Sequence, residues 1–139
     1  MEELYKDTVT IWNRMKASGV WEEDTWYPTV ITNARLIVSQ GNNVLKSGVE
    51  GADTARLHIS DAISVPDKPY ADPVSWKDAP DVAFTLESQD GSFFTRGDTS
   101  GEAGTDGFFE YMEAHHADCY RISKVDRFEV IPHFEVFGK

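Results

Sequence analysis

Residues Thr8–Trp12 read Thr-Val-Thr-Ile-Trp, and this stretch sets the class of fold that the sequence predicts. Polar and apolar residues alternate along it, and they are β-branched or aromatic, which is typical of a strand with one buried face. Similar alternation returns at 54–59 and at 119–125. We therefore predict a mainly β chain.

Further strands lie on both sides of Thr8–Trp12. Asn33 interrupts the second one, where a bulge or tight bend is expected, and Pro132 predicts an edge position or a bulge in the last. Asp90-Gly91 is a strong hairpin-turn signal. The predicted strands are 8–12, 26–39, 54–59, 82–86, 93–96, 119–125 and 128–137. Their number and spacing predict a single domain over 1–139, a small β-barrel or sandwich of six to eight strands with long loops.

Three segments of the first half carry loop or turn chemistry. Gln40–Asn43 is predicted as a turn and Lys46–Asp53 as a loop. Ser64–Pro80 contains four prolines, which exclude a helix and a central strand. We predict that Ser64–Pro80 is one long ordered excursion that Tyr70 and Trp76 pin to the body.

A glycine-rich loop precedes the single predicted helix. Gly97–Gly107 holds four glycines and is expected to be a mobile surface loop. Residues Phe108–Ala117 have one apolar face at helical spacing, and Thr105 or Asp106 could cap the start. The sequence therefore predicts one short helix around 106–117.

The charge of the chain limits its partners. The formal net charge is −11, so specific binding to DNA is not expected, because the phosphates would be repelled. The same charge would suit a surface past which DNA moves without adhering, or it could serve solubility alone. Residues 1–7 hold no apolar signal-peptide region, and no apolar run approaches the ~20 residues that span a bilayer. We expect no export signal and no membrane partner.

The densest polar cluster is 115–119, which reads His-His-Ala-Asp-Cys. A structural zinc site needs four ligands, yet the chain has one cysteine, and His58 and His133 look isolated in predicted strands. A cysteine nucleophile needs a low thiol pKa, whereas the acidic neighbours Glu113 and Asp118 would raise it. We predict no catalytic, metal or cofactor site, and hence no enzyme. An enzyme that uses Cys119 with a histidine remains an alternative.

Aromatic side chains are the remaining signal. They make up 12% of the chain, and a barrel of this size could leave some of them at the surface. Exposed aromatic residues on ordered segments are typical of protein–protein interfaces. The candidate subunit-interface residues are Tyr70, Trp76, Phe93, Phe94, Phe134 and Phe137.

Several stretches, in order along the chain, resemble those of minor capsid or head–tail connector proteins of tailed bacteriophages. They are Tyr5–Arg14 (Tyr-Lys-Asp-Thr-Val-Thr-Ile-Trp-Asn-Arg), Trp26–Ile31 (Trp-Tyr-Pro-Thr-Val-Ile), Trp76–Asp98 with its Phe-Thr-Leu and Arg-Gly-Asp, Tyr120–Asp126, and Pro132–Lys139. The chain departs from the pattern at Arg127, where these proteins tend to have Asn, and at Phe134, where they tend to have Trp. Each match is short, but together they cover nearly the whole chain.

The resemblance implies a β-barrel subunit of the neck between portal and tail, of the head-completion or stopper kind. Such a subunit forms a homo-oligomeric ring in the virion, contacts portal, adaptor and tail proteins, and lets DNA pass without specific binding. It would be made in the bacterial cytoplasm and end at the head–tail junction of the virion. The alternatives are a tail terminator subunit and a β-barrel that binds a small apolar ligand.

Overall fold

The protein is a closed, six-stranded antiparallel barrel, seen in a computed structural model that describes residues 7–16, 24–45, 48–60, 69–102, 107–128 and 133–139. The elements of these residues are β1 (Asp7–Met15), β2 (Thr25–Leu45), β3 (Gly48–Ser60), α1 (Pro73–Trp76), β4 (Phe93–Arg96), α2 (Phe108–His115), β5 (Cys119–Phe128) and β6 (His133–Gly138). Around the barrel the strands follow the order β1-β2-β3-β6-β5-β4. The predicted mainly β class and small barrel are confirmed. Neither helix of the described ranges has the length and apolar character that crossing a membrane requires.

The bulge expected at Asn33 is confirmed by the register of β1 against β2. Asp7 lies opposite Ala34, whereas Val9 lies opposite Ile31, so β2 has one residue more than β1 across this step. Such an extra residue bends a strand and increases its local twist, which helps a short sheet to close. The predicted bulge at Pro132 falls at 129–132, outside the described residues.

Alternation along the strands fills the barrel interior. Buried side chains from all six strands form one apolar cluster, which Phe84 and Leu86 of the segment after α1 complete. Leu57, Phe94 and Val136 have no exposed surface at all. The inward faces of the strands are thus used by the protein's own core, and functional side chains must be sought on the outer faces and loops.

A second, aromatic cluster lies where α2 packs on the barrel. Trp12, Phe93 and Phe108 are buried together, and the rings of Trp12 and Phe108 meet edge to face at 4.8 Å between centroids. The predicted helix is confirmed, but the N-cap is Gly107, at a left-handed φ of 77° and without a side-chain cap. The proposed caps, Thr105 and Asp106, lie outside the described residues.

The proline-rich excursion contains a helix that its prolines seemed to exclude. Pro73 stands in the first turn of α1, where a missing N–H costs nothing, and the Asp72 carboxylate accepts the backbone N–H groups of Val74 and Ser75. Trp76 is 2% exposed, and its Nε1 donates to the Ala83 carbonyl at 3.1 Å. The Trp76 ring also meets that of Tyr27 of β2 edge to face, with 5.9 Å between centroids, so the predicted pinning by this tryptophan is confirmed. The exclusion of a helix was wrong. Residues 61–68 lie outside the described part.

The predicted strand at 82–86 is also wrong. It is reduced to one isolated parallel bridge between Tyr70 and Phe84. Instead of a neighbouring strand, the buried Asn13 side chain pairs with the backbone of Thr85. Asn13 Nδ2 donates to the Thr85 carbonyl at 2.8 Å, and the Thr85 N–H donates to Asn13 Oδ1 at 3.1 Å.

The predicted turn at Gln40–Asn43 and the loop at Lys46–Asp53 are corrected by the pairing of β2 with β3. Gln40 lies opposite Asp53, Asn42 opposite Gly51, and Leu45 opposite Gly48. Turn-forming residue types misled here because backbone pairing requires no particular side chain. Lys46 and Ser47 lie outside the described residues.

The predicted mobile loop is anchored at its start by buried threonines. The Thr99 N–H donates to Thr10 Oγ1 at 2.9 Å, and Trp12 Nε1 donates to Thr99 Oγ1 at 2.9 Å. Thr10 Oγ1 donates in turn to the Gly97 carbonyl at 2.7 Å. These bonds hold Gly97 and Thr99 against β1. Residues 103–106 lie outside the described part.

Candidate functional site

The six aromatic residues predicted for a subunit interface fall into two groups. Four of them are buried in the chain's own core, and two are half-buried. The buried ones are Trp76 and Phe134, each 2% exposed, and Phe93 and Phe94, each fully buried; the half-buried ones are Tyr70 and Phe137. Because a core side chain is not available to a partner, the interface prediction now concerns Tyr70 and Phe137.

Cationic side chains flank both half-buried rings. The guanidinium of Arg127 lies 5.7 Å from the ring centre of Tyr70, and partial burial raises the pKa of the Tyr70 hydroxyl. The Phe137 ring lies between Arg56 and Lys124, at 5.6 and 5.3 Å from its centre. These arrangements suit contacts with acidic or aromatic groups of a partner.

Cys119 does not have the surroundings of a nucleophile. Burial raises the pKa of its thiol to about 12, and the Glu113 carboxylate adds to the rise, while Arg121 opposes it. The contacts of the two neighbouring histidines are with groups other than the thiol. His115 Nδ1 lies 2.7 Å from the Tyr111 carbonyl, and His116 Nε2 lies 3.5 Å from Glu102. The prediction that Glu113 raises the pKa of the Cys119 thiol is confirmed, although burial is the larger cause of the rise.

The barrel assembles a different polar cluster on its outer face. Cross-strand pairing places His58 of β3 opposite Glu135 of β6, and His133 stands two residues before Glu135, on the same face. One ligand-type atom from each of the three residues lies within 4.8 Å of the others. The imidazoles of His58 and His133 are stacked, with centroids 6.0 Å apart and planes 10° from parallel. The prediction that the two histidines are isolated was wrong.

Both imidazoles direct Nε2 toward the same carboxylate. His133 Nε2 is 3.3 Å from Glu135 Oε2, and His58 Nε2 is 3.9 Å from Glu135 Oε1. Burial lowers the pKa of His58, and Glu135 opposes this shift, whereas His133, Arg56 and Arg35 lower the pKa further. Two imidazoles and one carboxylate converging in this way have the chemistry of a transition-metal site.

A hairpin arm extends β2 and β3 beyond the barrel. We use this name for residues 39–45 of β2 and 48–54 of β3, which pair with each other in antiparallel register. The pairing of β1 with β2 ends at Ala34, and the pairing of β6 with β3 ends at Ala55. In the described part of the chain, the arm therefore has no third strand, and each of its two outer edges is unpaired.

Comparison with known proteins places the chain in a family. A family model matches residues 4–139, nearly the whole sequence. The chain belongs to DUF6751, a family of unknown function. No curated protein and no solved structure matches it.

Sequence reasoning missed both the outer-face cluster and the arm of this DUF6751 chain. The His133-x-Glu135 spacing was a usable signal, since residues two apart in a strand share a face. His58 carried no such signal, because only the register of β3 against β6 makes it their neighbour. The arm was hidden by its own turn-like composition.

Proposed function

We propose that this DUF6751 chain is a structural virion protein of a tailed bacteriophage. In this proposal it is a ring-forming subunit of the neck, in the head-completion or stopper position, and it joins the portal-proximal complex to the tail. Its partners are further copies of itself, portal or adaptor proteins, and tail proteins. Its place is the head–tail junction, and DNA passes through the ring without specific binding.

The hairpin arm is the observation that carries the proposal. Seven residues of each strand, about 23 Å at ~3.3 Å per residue, extend beyond the last barrel pairing. A two-stranded hairpin is at best marginally stable in water, and unpaired edges invite strand addition from another chain. An arm of this kind is well suited to reach a neighbouring subunit in a ring and to add its edge to that subunit's sheet.

The segment after β3 supports the same use of the surface. Val74 and Val82 are 79% and 64% exposed; Val74 lies in α1, and Val82 lies just after the excursion. The segment contacts the barrel at two points: the Trp76 ring packs on Tyr27 of β2, and the backbone of Thr85 pairs with Asn13 of β1. Apolar side chains on a fixed support can contact a partner with little loss of conformational entropy.

The sequence resemblance and the charge agree with this assignment. The resemblance to connector proteins runs through β1, the start of β2, β4 and the end of the chain. A net charge of −11 keeps a ring surface from adhering to DNA that moves past it, since like charges repel.

The two other classes of function have less support. A small-ligand barrel needs an open interior, whereas side chains of all six strands fill this one. An enzyme based on Cys119 needs a thiolate, and burial disfavours the charged form of this thiol. A tail terminator would share the ring and the arm, and it differs from a stopper only in the neighbour that it binds.

The experiment uses the full chain and a variant with a shortened arm. In the variant, residues 41–52 are replaced by Asn-Gly, so that the opposed residues Gln40 and Asp53 close a two-residue hairpin. We expect the full chain to bind portal or neck complexes of its own phage, and the variant to lose this binding and to assemble no rings. Thermal unfolding of both proteins is the control for an intact barrel.

Three outcomes would contradict the proposal. They are absence of the protein from purified virions, failure of the full chain to bind any neck, portal or tail complex, and equal binding by the shortened variant. Binding to the tail tube but not to the portal side would instead favour the terminator.

A further inference from the structure

We propose that His58, His133 and Glu135 form a binding site for one divalent transition-metal ion of the zinc class, on the outer face of the barrel. The inference is independent of the proposed place in a virion. It concerns a site assembled by β3 and β6 alone, and neither the arm nor the excursion contributes to it.

The distances within the cluster fit such an ion. A tetrahedral zinc ion with bonds of about 2.1 Å separates its ligand atoms by about 3.4 Å. The observed separations from Glu135 are 3.3 Å to His133 Nε2 and 3.9 Å to His58 Nε2. These two distances end on different oxygens of the carboxylate, and one donor atom from each of the three residues lies within 4.8 Å of the others. Rotations of the three side chains that move these atoms by up to about 1.4 Å bring them to the spacing of one bound ion.

His58 Nε2 supplies a second, independent observation. This nitrogen is buried, and it has no hydrogen-bond partner among the described residues. Buried polar atoms in folded proteins nearly always have a partner, so an unsatisfied imidazole nitrogen that faces a carboxylate calls for an explanation. A metal ion bound to the Nε2 lone pair would satisfy it.

The surroundings hold the ligands in place. The ring of Phe128 stacks on His133 with 4.7 Å between centroids and planes 9° apart, and this fixes the orientation of that imidazole. Hydrogen-bonded pairing of β3 with β6 fixes the positions of His58 and Glu135. Such preorganisation reduces the entropy that binding costs.

The charges around the site are mixed. Asp126 of β5 lies opposite Glu135 and favours a cation, whereas Arg35 of β2 lies opposite His58 and opposes one. Binding uses both imidazoles in their neutral form, with the protons on Nδ1, and the carboxylate supplies one negative charge. Three protein ligands leave the fourth tetrahedral position to water.

Titration of the full chain with zinc chloride, after dialysis against a chelator and without a polyhistidine tag, tests the site. We expect one equivalent of Zn²⁺ to bind and to raise the thermal unfolding temperature, whereas Mg²⁺ at the same concentration does neither. His58→Gln and Glu135→Gln should each weaken zinc binding at least tenfold. His115→Gln, which removes an exposed histidine outside the cluster, is the matched control and should bind as the unchanged protein does.

Nuclear magnetic resonance of the unchanged protein keeps the test valid if a variant fails to fold. Saturating Zn²⁺ should shift the ring resonances of His58 and His133 and leave those of His115 in place. The proposal is overturned by the absence of saturable one-to-one binding, by unweakened binding in His58→Gln, or by ring shifts confined to the histidines of α2 and its C-terminal end.

Discussion

The barrel and the hairpin arm are built from the same two strands, yet they differ in what lies beside them. At Leu57 of β3, strands pair on both sides, and the side chain lies in a closed core. At Asn42, β2 pairs with β3, and no third strand of the described residues pairs with either of them. Closure of a sheet satisfies every edge and buries one face, whereas a projecting hairpin does neither. The comparison indicates that the barrel carries the stability of the chain, whereas the described arm leaves both of its outer backbone edges unpaired.

The largest effect on stability is expected in the aromatic cluster of the barrel. Phe93→Ala should lower the free energy of unfolding by about 3–5 kcal/mol, because it leaves a cavity among buried rings that α2 covers. Urea unfolding followed by tryptophan fluorescence measures the change. Val82→Ala, at a side chain that is 64% exposed, is the control and should cost no more than about 0.5 kcal/mol. Equal effects of the two changes would show that the cluster is not part of the stable body.

A smaller effect on stability is expected at Asn13, whose side chain pairs with the backbone of Thr85 where a neighbouring strand was predicted. Asn13→Ala should cost about 1–3 kcal/mol, because the buried N–H and carbonyl of Thr85 lose their partner. Hydrogen exchange should show the Thr85 amide losing its protection, while amides in the middle of β3 keep theirs. Ser123→Ala, which removes an exposed hydrogen bond to the Phe137 carbonyl, is the control. Unchanged protection of Thr85 in Asn13→Ala would contradict this account of the segment.

The stability of the barrel at alkaline pH should depend on the buried thiol of Cys119. The thiol pKa is raised to about 12 from an ordinary 9.0, so above pH 9 the unfolded chain loses a proton that the folded chain keeps. The contribution to stability is therefore complete below pH 9 and is lost as the pH rises toward 12. At neutral pH, Cys119→Ala should have a small effect, since it removes one sulfur atom.

The measurement is urea unfolding of both proteins between pH 7 and pH 11. Above pH 9 the unchanged protein should lose stability while Cys119→Ala does not, so the small difference measured at pH 7 should shrink and then reverse in favour of the variant. Rapid thiol alkylation of the folded protein at pH 8 would contradict the burial of this group.

The smallest effect on stability is expected in the arm. Replacing residues 41–52 with Asn-Gly should change the free energy of unfolding by no more than about 0.5 kcal/mol, because the arm has no third strand in the described structure. Urea unfolding of the isolated chain again provides the value. If the shortened variant lost as much free energy of unfolding as Phe93→Ala, the arm would fold as part of the barrel, and the two regions would not differ in stability.

Local patterns predicted those parts of the fold that depend on local alternation. Residues 8–12 and 119–125 lie within β1 and β5, the bulge falls at Asn33, and the helix begins at Phe108. The patterns failed where a distant partner decides the outcome. Residues 82–86 have strand composition, but the backbone of Thr85 pairs with the side chain of Asn13 and not with another strand. Residues 40–43 have turn composition, but they pair with β3 as part of a strand.

The sequence by itself determined a mainly β chain whose strands alternate between inward and outward side chains, because this alternation depends only on neighbouring residues. Only the tertiary structure decided which outward side chains meet. The register of β3 against β6 brings His58 to Glu135. The closing of the barrel buries Phe94 and Phe134, the packing of α2 covers Phe93, and Trp76 is buried in α1, outside the strands. Register and closure arise from contacts between residues far apart in the chain, and no local pattern specifies them.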